Sequence, residues 1–228
     1  MTDSANTVLI LGASGAVGSR FAQRFLAAGT NVIGTASNQS ALTKIPGGVV
    51  EQYVLDLTDF GQIVSVCGDI KQKHEAISGV VIASGVVGFS NVENTNLDLA
   101  ATMMTINHLG PAQVVSELFS VLATNQVPNS FVLGMTGVVV EQNFPGMSSY
   151  TASKVAHSAF LSSIGKEWRR YKVTAIDVRL GHTETGLADH PLFGQAPNMP
   201  TGFDPDHAVD VIMAGIANRV SVINSTDF

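Results

Sequence analysis

Short runs of apolar, β-branched residues alternate along this chain with longer segments of helical periodicity. Such alternation is typical of a parallel sheet covered by helices on both faces, because strands buried on both sides are apolar throughout. The sequence therefore predicts an α/β fold with a doubly wound parallel sheet, in a single domain over 1–228. The predicted strands are 7–12, 31–36, 49–57, 79–84, 130–135 and 172–180. The predicted helices are 16–28, 59–74, 97–124, 149–170 and a last helix from Pro205 with Asp204 as its N-cap.

The charge and cysteine content limit the partners and the compartment. Twelve Lys and Arg against 18 Asp and Glu give a formal net charge of -6. Nucleic acids and anionic membranes bind through an excess of basic residues, so we expect neither and favour a small-molecule partner. The apolar stretch 79–89 is too short to span a bilayer, and 1–7 lacks the layout of a secretory leader. With Cys67 as the single cysteine, these features predict a soluble, cytoplasmic protein.

Three glycines, Gly12, Gly15 and Gly18, lie between the first predicted strand and the first helix. Glycine lets the backbone turn tightly and approach a pyrophosphate, whose charge then lies against the N–H groups that begin the helix. The loop predicts nucleotide binding by a Rossmann-type fold, although the spacing G-x-x-G-x-x-G also suits a tight turn alone. The other residues of this predicted phosphate site are Ser14, Ala16 and Val17.

The residues at the end of the second predicted strand indicate whether NAD or NADP is the cofactor. An acidic residue at this position bonds the ribose 2′-hydroxyl of NAD, whereas an arginine accepts the 2′-phosphate of NADP. Ser37 and Asn38 stand there instead. Since no carboxylate repels a 2′-phosphate and both side chains can donate hydrogen bonds, we predict NADP as the preferred cofactor and NAD as the alternative.

Other residues near this end leave alternatives open. Arg20 and Lys44 are the nearby cations, and each can equally be a solvated helix residue. Asp56, which precedes Leu57 after the third strand, can reach an adenine amino group or cap the next helix.

Tyr150 and Lys154 lie four residues apart at the start of a predicted helix and therefore share a face. A phenol with a pKa of about 10 is a poor base at neutral pH. An ammonium about 4 Å away contributes roughly 4 kcal/mol at an effective dielectric of 20, which lowers that pKa by up to about three units. The pair predicts an acid/base centre, although the same spacing also occurs in ordinary exposed pairs.

In their order and spacing these features resemble the short-chain dehydrogenase/reductase family over nearly the whole chain. The matching segments are GASGAVG (12–18), ASG (83–85), INHLG (106–110), YTASK (150–154) and RLGHTETG (179–186). The resemblance implies an NADP- or NAD-dependent oxidoreductase that acts on a small carbonyl or secondary alcohol substrate.

The resemblance also implies roles for individual residues. Tyr150 would exchange a proton with the substrate, Lys154 would lower its pKa and hold the nicotinamide ribose, and Asn107 would anchor a water. Thr185 would bond the nicotinamide carboxamide. The remaining cofactor positions implied are Ala83, Ser84, Gly85, Gly181 and Thr183. Asn107 also suits a helix bend, Gly85 a strand-end turn and Thr185 a loop cap.

One position departs from the family pattern. A serine that donates to the substrate oxygen usually lies about 13 residues before the tyrosine, but Gly137 stands here, after Thr136. Loss of one such donor typically costs about 100- to 1000-fold in rate. Thr136 can replace the serine as a catalytic residue if the local strand shifts by one residue, or Tyr150 can act alone with slower turnover. The rival interpretation is a nucleotide-binding regulatory or scaffold protein with little chemistry.

The segment 181–206 is rich in Gly, Pro and polar residues and is predicted to be the substrate loop. His182 and His190 within it can contact a polar substrate or be solvated. The long helices near 109–124 and 150–170 carry apolar and small residues on more than one face, which predicts a homo-oligomer, a dimer or tetramer. No spacing of His, Cys, Asp and Glu matches a metal site.

Overall fold

Among the described residues, the sheet has seven parallel strands in the order β3-β2-β1-β4-β5-β6-β7. The computed structural model of the protein describes residues 6–124, 127 and 129–228. The doubly wound parallel sheet predicted from the sequence is confirmed, whereas the prediction about residues 1–7 falls mostly outside the described residues. The strands are β1 (Thr7–Leu11), β2 (Asn31–Ala36), β3 (Glu51–Val54), β4 (Gly79–Ile82), β5 (Phe131–Met135), β6 (Thr174–Val178) and β7 (Val222–Ile223).

The helices follow the predicted segments, with two interruptions inside 97–124 and one additional short helix at 39–42. They are α1 (Ala16–Ala27), α2 (Gln39–Leu42), α3 (Phe60–Lys73), α4 (Leu97–Met104), α5 (Gly110–Glu117), α6 (Phe119–Leu122), α7 (Ser148–Glu167) and α8 (Pro205–Ala217). The segment predicted to be helical over 97–124 is helical over most of its length, but it is not one regular α-helix. A π-helical turn at Thr105–Leu109 separates α4 from α5, and a break at Leu118 separates α5 from α6. Asp204 caps α8 as predicted, since its side chain accepts the N–H of Asp206.

Two apolar layers hold the helices on the sheet. On one face, α3, α5 and α7 bury Ile63, Val114 and Leu161 against the strands. On the other face, α1 and α8 bury Phe21 and Ile212. Both sheet faces are therefore covered, which explains why the strands are apolar on both sides.

The strand order reverses between β1 and β4, which are neighbours in the sheet although two strands intervene in sequence. Open α/β sheets bind ligands in the crevice at this switch point, beyond the carboxyl ends of the strands. The segments that leave the carboxyl ends of β1, β4, β5 and β6 begin near residues 12, 83, 136 and 179. The fold thus gathers at one edge most of the segments that the sequence singled out.

Candidate active site

The loop from β1 to α1 needs glycine for both conformation and space. Gly12 has a φ of +77°, and a Cβ there would lie 3.0 Å from the backbone nitrogen of Ser84. At Gly18 a Cβ would lie 2.1 Å from the carbonyl oxygen of Gly12. Gly15 is the N-cap of α1 and offers no side-chain cap to the first turn. The first N–H groups of α1 therefore have no side-chain acceptor at the cap, which suits an anionic phosphate.

The first residues after β4 line the same crevice. The Ala83 N–H donates to the Leu11 carbonyl at 3.1 Å, which holds this segment beside the glycine loop. The hydroxyl of Ser84 is buried and has no hydrogen-bond partner among the described residues. A buried hydroxyl without a partner is costly unless a ligand satisfies it, so Ser84 and the glycine cradle fit a bound dinucleotide.

Ser37 and Asn38, at the predicted adenosine end, are exposed. Asn38 caps α2, because its Oδ1 accepts the Ala41 N–H at 3.0 Å. Residues 35–38 at this end of β2 include no carboxylate, as the sequence indicated. Of the two nearby cations, Lys44 is exposed, whereas Arg20 is paired with Asp206 on α8 at 2.9 Å. Arg20 is thus tied to another helix, with its side chain 28% exposed.

Asp56 and Leu57 follow β3, and neither caps the next helix. Asp56 accepts the N–H and the hydroxyl of Thr58 at 2.8 and 2.7 Å, whereas the cap of α3 is Asp59, which accepts the Gln62 N–H. The cap alternative for Asp56 is therefore wrong. Leu57 is buried, and its carbonyl lies so close to α5 that a Cβ at Gly110 would be 2.3 Å away.

Tyr150 and Lys154 lie in the first two turns of α7, on its buried side. Lys154 is 6% exposed, and its Nζ donates to the Met135 carbonyl at 2.8 Å. The same Nζ lies 5.7 Å from the centroid of the half-buried Tyr150 ring. The predicted pair is therefore brought together, with the ammonium anchored to the end of β5.

The pKa values of this pair differ from the expectation. Burial raises the pKa of Tyr150 to about 12 instead of lowering it. Burial lowers the pKa of Lys154 to about 8, because a buried ammonium loses its hydration. The expected depression of the phenol pKa by its neighbour is thus outweighed here by desolvation of both groups.

Asn107 lies in the π-helical turn and joins two elements. It is 2% exposed, and its amide nitrogen donates at 2.9 Å to the Val86 carbonyl and at 2.9 Å to the Ser153 hydroxyl. Its Oδ1 accepts the Val86 N–H at 2.9 Å. A Cβ at Gly85 would lie 3.3 Å from both this Oδ1 and the Lys154 Nζ, so the three residues meet. The role of Asn107 in holding a water stays a prediction.

The structure does not place the Thr136 hydroxyl as a substrate donor, which corrects the expectation that it replaces the missing serine. Thr136 is fully buried, and its hydroxyl is bonded to Asp177 and within 3.2 Å of the Val178 carbonyl. Gly137 has a φ of +90° and a ψ of 165°, a conformation that is essentially restricted to glycine. The departure from the family pattern therefore coincides with a backbone shape that disfavours serine.

The segment after β6 holds the residues predicted to meet the nicotinamide. Thr183 is buried and donates to the Gly181 carbonyl at 3.0 Å, and Thr185 accepts the Leu187 N–H at 3.4 Å. Thr185 thus forms the local turn that the sequence left as its alternative.

A cavity of about 280 Å³ opens between two parts of the 181–206 loop. His182 lines it and lies 3.5 Å from Glu184, whereas His190 is exposed. The cavity is lined further by Thr183, Gly186, Ala188, Asp189, Met199 and Thr201. Two backbone hydrogen bonds hold the loop on the segment after β4, from Leu192 to Val87 at 2.7 Å and from Phe89 to Phe193 at 3.0 Å.

Sequence reasoning missed a pair of histidines beneath the site. His157, three residues after Lys154, is 1% exposed, and neither of its ring nitrogens has a partner among the described residues. His108 packs edge-on against it, with ring centroids 5.8 Å apart. The signal was Gly134 in the middle of an apolar strand, since a Cβ there would lie 2.5 Å from His157 Nε2.

Within the described ranges, no group of three or more His, Cys, Asp or Glu residues is arranged to hold a metal ion. No helix in the part of the chain that the structure describes is both long and apolar enough to cross a bilayer.

Comparison with known proteins gives consistent matches. Residues 6–191 match the sequence profile of the family described as short chain dehydrogenase. The chain is 25% identical over 199 residues to dehydrogenase/reductase SDR family protein 7-like of Anopheles gambiae, covering 82% of this chain and 62% of the relative. It is 23% identical over 228 residues to a fatty acyl-CoA reductase of Acinetobacter baylyi, covering 92% of this chain and 72% of the relative. The chain thus spans less than two thirds of the first of these relatives.

Among solved structures, the chain is similar to a short-chain dehydrogenase from Sphingobium yanoikuyae in complex with NADPH. The TM-score is 0.84 at 20% identity, covering 96% of this chain and 87% of that chain. At this identity the similarity shows the fold.

Proposed function

Because the chain belongs to the short-chain dehydrogenase family, we propose that it transfers a hydride between a nicotinamide cofactor and a carbonyl compound or secondary alcohol. Family membership supports a nicotinamide-dependent oxidoreductase in general. The observation that carries the specific proposal is the convergence of Lys154 and Asn107 at Gly85, with Lys154 beside the Tyr150 ring. A protein that only bound a nucleotide would have no chemical need for this group of buried side chains.

The residues at the switch point would hold the cofactor. The N–H groups that begin α1 would bind the pyrophosphate, and the unpartnered Ser84 hydroxyl would donate to or accept from the dinucleotide. When bound, NADP(H) or NAD(H) supplies the hydride chemistry. Thr183 and Thr185 would lie toward its nicotinamide end.

Tyr150 would act as the general acid in the reductive direction. With a pKa of about 12 its hydroxyl is protonated at neutral pH and can donate to a carbonyl oxygen. The Lys154 ammonium would stabilise the phenolate left after transfer, because opposite charges attract strongly in a buried site. Since the pKa of Lys154 is about 8, this stabilisation is present below pH 8 and is lost as the pH rises above it.

The cofactor preference is proposed to be NADP over NAD. The exposed Ser37 and Asn38 present neutral donors and no carboxylate where a 2′-phosphate would lie. The short-chain dehydrogenase from Sphingobium yanoikuyae was solved in complex with NADPH, which supports a nicotinamide cofactor in general.

The direct test is NADPH oxidation with a panel of aliphatic, cyclic and aromatic ketones, with NADH in parallel. Tyr150→Phe removes the proton donor and should abolish measurable turnover while NADPH still binds. Tyr171→Phe is the matched control, because Tyr171 packs by its ring against Phe119. Equal turnover of Tyr150→Phe and the parent would contradict the proposal.

The second candidate function is a nucleotide-binding regulatory or scaffold protein on the same fold. The observation in its favour is that Gly137 carries no hydroxyl and the Thr136 hydroxyl is committed to Asp177. NADPH binding by fluorescence, with no turnover of any ketone in the panel, would favour this candidate. Turnover that Tyr150→Phe abolishes excludes it.

We also propose a homo-oligomer that forms through the outer faces of α7 and the end of the π-helical turn. Leu109 and Val155 are each 45% exposed there, although both are large and apolar. Light scattering should show a dimer or tetramer that Leu109→Glu and Val155→Glu dissociate. Val64→Glu is the control, since Val64 on α3 is 47% exposed but lies on another helix.

A further inference from the structure

Asp177 is a charged residue in β6, between the apolar residues Ile176 and Val178. It is 5% exposed and shares the sheet face that α7 covers with its neighbour Ala175 two residues before. A buried carboxylate is costly unless hydrogen bonds and an opposite charge compensate it. We therefore looked for the groups that compensate the charge of Asp177 in its contacts.

Three side chains from three parts of the chain donate to this carboxylate. Thr136, just beyond β5, donates to Oδ1. Ser158, on α7, donates to Oδ2 at 2.7 Å, and Arg179 donates to the same oxygen through Nε at 3.1 Å. The carboxylate thus ties the end of β5, the middle of α7 and the end of β6 to one point.

Two of these donors flank the Lys154 anchor. The Lys154 Nζ donates to the carbonyl of Met135, which immediately precedes Thr136. Ser158 lies one helical turn after Lys154 on the same helix. Asp177 therefore holds both ends of the contact between Lys154 and Met135, the strand end through Thr136 and the helix through Ser158.

The network continues toward the carboxyl-terminal part of the chain. Arg179 Nη1 lies 3.8 Å from Glu141, and Glu141 accepts the hydroxyl of Ser225. Glu141 directly follows the 3-10 turn at Val138–Val140, whose N-cap is Gly137. The segment in which the family serine is missing is thus fixed by polar contacts on both sides.

We propose that Asp177 is a positioning residue of the active site, which fixes the ammonium of Lys154 against the Met135 carbonyl by accepting hydrogen bonds from Thr136 and Ser158. The catalytic consequence rests on the proposed oxidoreductase function, but the geometric one does not. Asp177→Ala removes the acceptor that the Thr136 and Ser158 hydroxyls share and so releases both ends of the contact, leaving Thr136 only the Val178 carbonyl. Asp177→Asn keeps an oxygen for Ser158 and Arg179, and its amide can donate to the Thr136 hydroxyl, which can turn to the Val178 carbonyl.

The first readout is the titration of Lys154, followed by carbon-13 NMR of the lysine Cε signals and assigned with Lys154→Met. In the parent the pKa is about 8 because the ammonium is buried. In Asp177→Ala we expect it to rise toward the usual value near 10.4, because a loosened ammonium gains water. Loss of the negative charge alone moves the pKa down, since a carboxylate favours the ammonium. An upward shift therefore identifies loss of positioning.

The second readout is kcat for NADPH oxidation with the ketone of the panel that the parent reduces fastest. Asp177→Ala should lower kcat by about 10- to 100-fold, the loss typical of a catalytic group displaced by about 1 Å. Asp177→Asn should restore most of it, and NADPH affinity should change little in either variant. Asp210→Ala is the matched control, because Asp210 is an exposed carboxylate on α8 that pairs with Arg24.

If Asp177→Ala does not fold, substitutions that each remove one hydrogen-bond donor to Asp177 test the proposal. Ser158→Ala and Thr136→Val each remove one hydroxyl and should shift the Lys154 titration upward by less than Asp177→Ala. Variants that lose thermal stability but keep the parental titration of Lys154 and the parental kcat overturn the proposal. If the Lys154 titration shifts in the variants but the parent protein reduces no ketone of the panel, the positioning role is supported. The same result contradicts the proposed oxidoreductase function.

Discussion

Substituting Gly137 tests whether backbone conformation explains the missing serine. With a φ of +90° and a ψ of 165°, Gly137 occupies a region that other residues enter at a cost of about 1–3 kcal/mol. Space does not add to that cost, because a Cβ there would meet only the Leu180 carbonyl oxygen, at an ordinary 3.5 Å. We therefore expect Gly137→Ala to lower the free energy of unfolding by about 1–3 kcal/mol.

Gly137→Ser should be destabilised somewhat less than Gly137→Ala. Its hydroxyl would lie near the Leu180 carbonyl, and one hydrogen bond returns about 0.5–1.5 kcal/mol. The same contact would direct the hydroxyl to the backbone rather than to a substrate. We therefore expect kcat to rise by less than about tenfold, instead of the roughly 100- to 1000-fold associated with one oxyanion donor.

The assays are urea unfolding followed by circular dichroism and NADPH oxidation on the same preparations. Gly47→Ser is the control, since Gly47 does not have a positive φ and a Cβ there would meet no atom within 4 Å. Its effect should stay within about 0.5 kcal/mol. A Gly137→Ser protein as stable as the parent and more than about 100-fold faster would refute the reasoning.

Three further predictions concern packing, pH and the cofactor. Gly134→Ala places a Cβ 2.5 Å from His157 Nε2, so overpacking should lower the free energy of unfolding by about 1–3 kcal/mol in urea. The control is Gly68→Ala in the open middle of α3, which should raise the free energy of unfolding by up to about 1 kcal/mol. Burial lowers the pKa of His157 to about 3, below its usual 6.5, so the unfolded chain binds the proton first. The contribution of neutral His157 to the free energy of unfolding is therefore fully present above pH 6.5 and should fall by up to about 1.4 kcal/mol per pH unit toward pH 3. His157→Leu should reduce this pH dependence in unfolding curves measured over the same range. Ser37→Asp places a carboxylate where a 2′-phosphate would lie and should weaken NADPH binding at least about tenfold relative to NADH in fluorescence titrations; an unchanged ratio would place the adenosine elsewhere.

The sequence predicted the sheet well because its signals are local. Each apolar run is bounded by polar or glycine-rich segments, and β1 to β6 lie inside the predicted ranges. The Asp204 cap was also readable, because capping depends on residues within one turn. The sequence indicated a helix bend as one alternative for Asn107, and the helix is interrupted there. The π-helical form of the turn and its contact with Val86, 21 residues earlier, were not readable from local spacing.

The sequence predicted which residues lie at the site better than it predicted their chemical properties. Spacing placed Lys154 near Tyr150, but not the burial that moves both pKa values. Thr136 carries a suitable hydroxyl, yet its orientation is decided by Asp177, 41 residues later. These outcomes depend on desolvation and distant partners, which a local pattern does not contain.

The π-helical turn between α4 and α5 limits how this chain can change in length. One extra residue in such a turn rotates everything after it by about 100° relative to an uninterrupted α-helix. That rotation brings Gly110 against the Leu57 carbonyl, where a Cβ would lie 2.3 Å away, and buries Val114 and Val115. A deletion of one residue between Thr105 and Leu109 would restore a regular helix but turn the apolar side of α5 outward. Single-residue insertions and deletions should therefore be excluded from this turn.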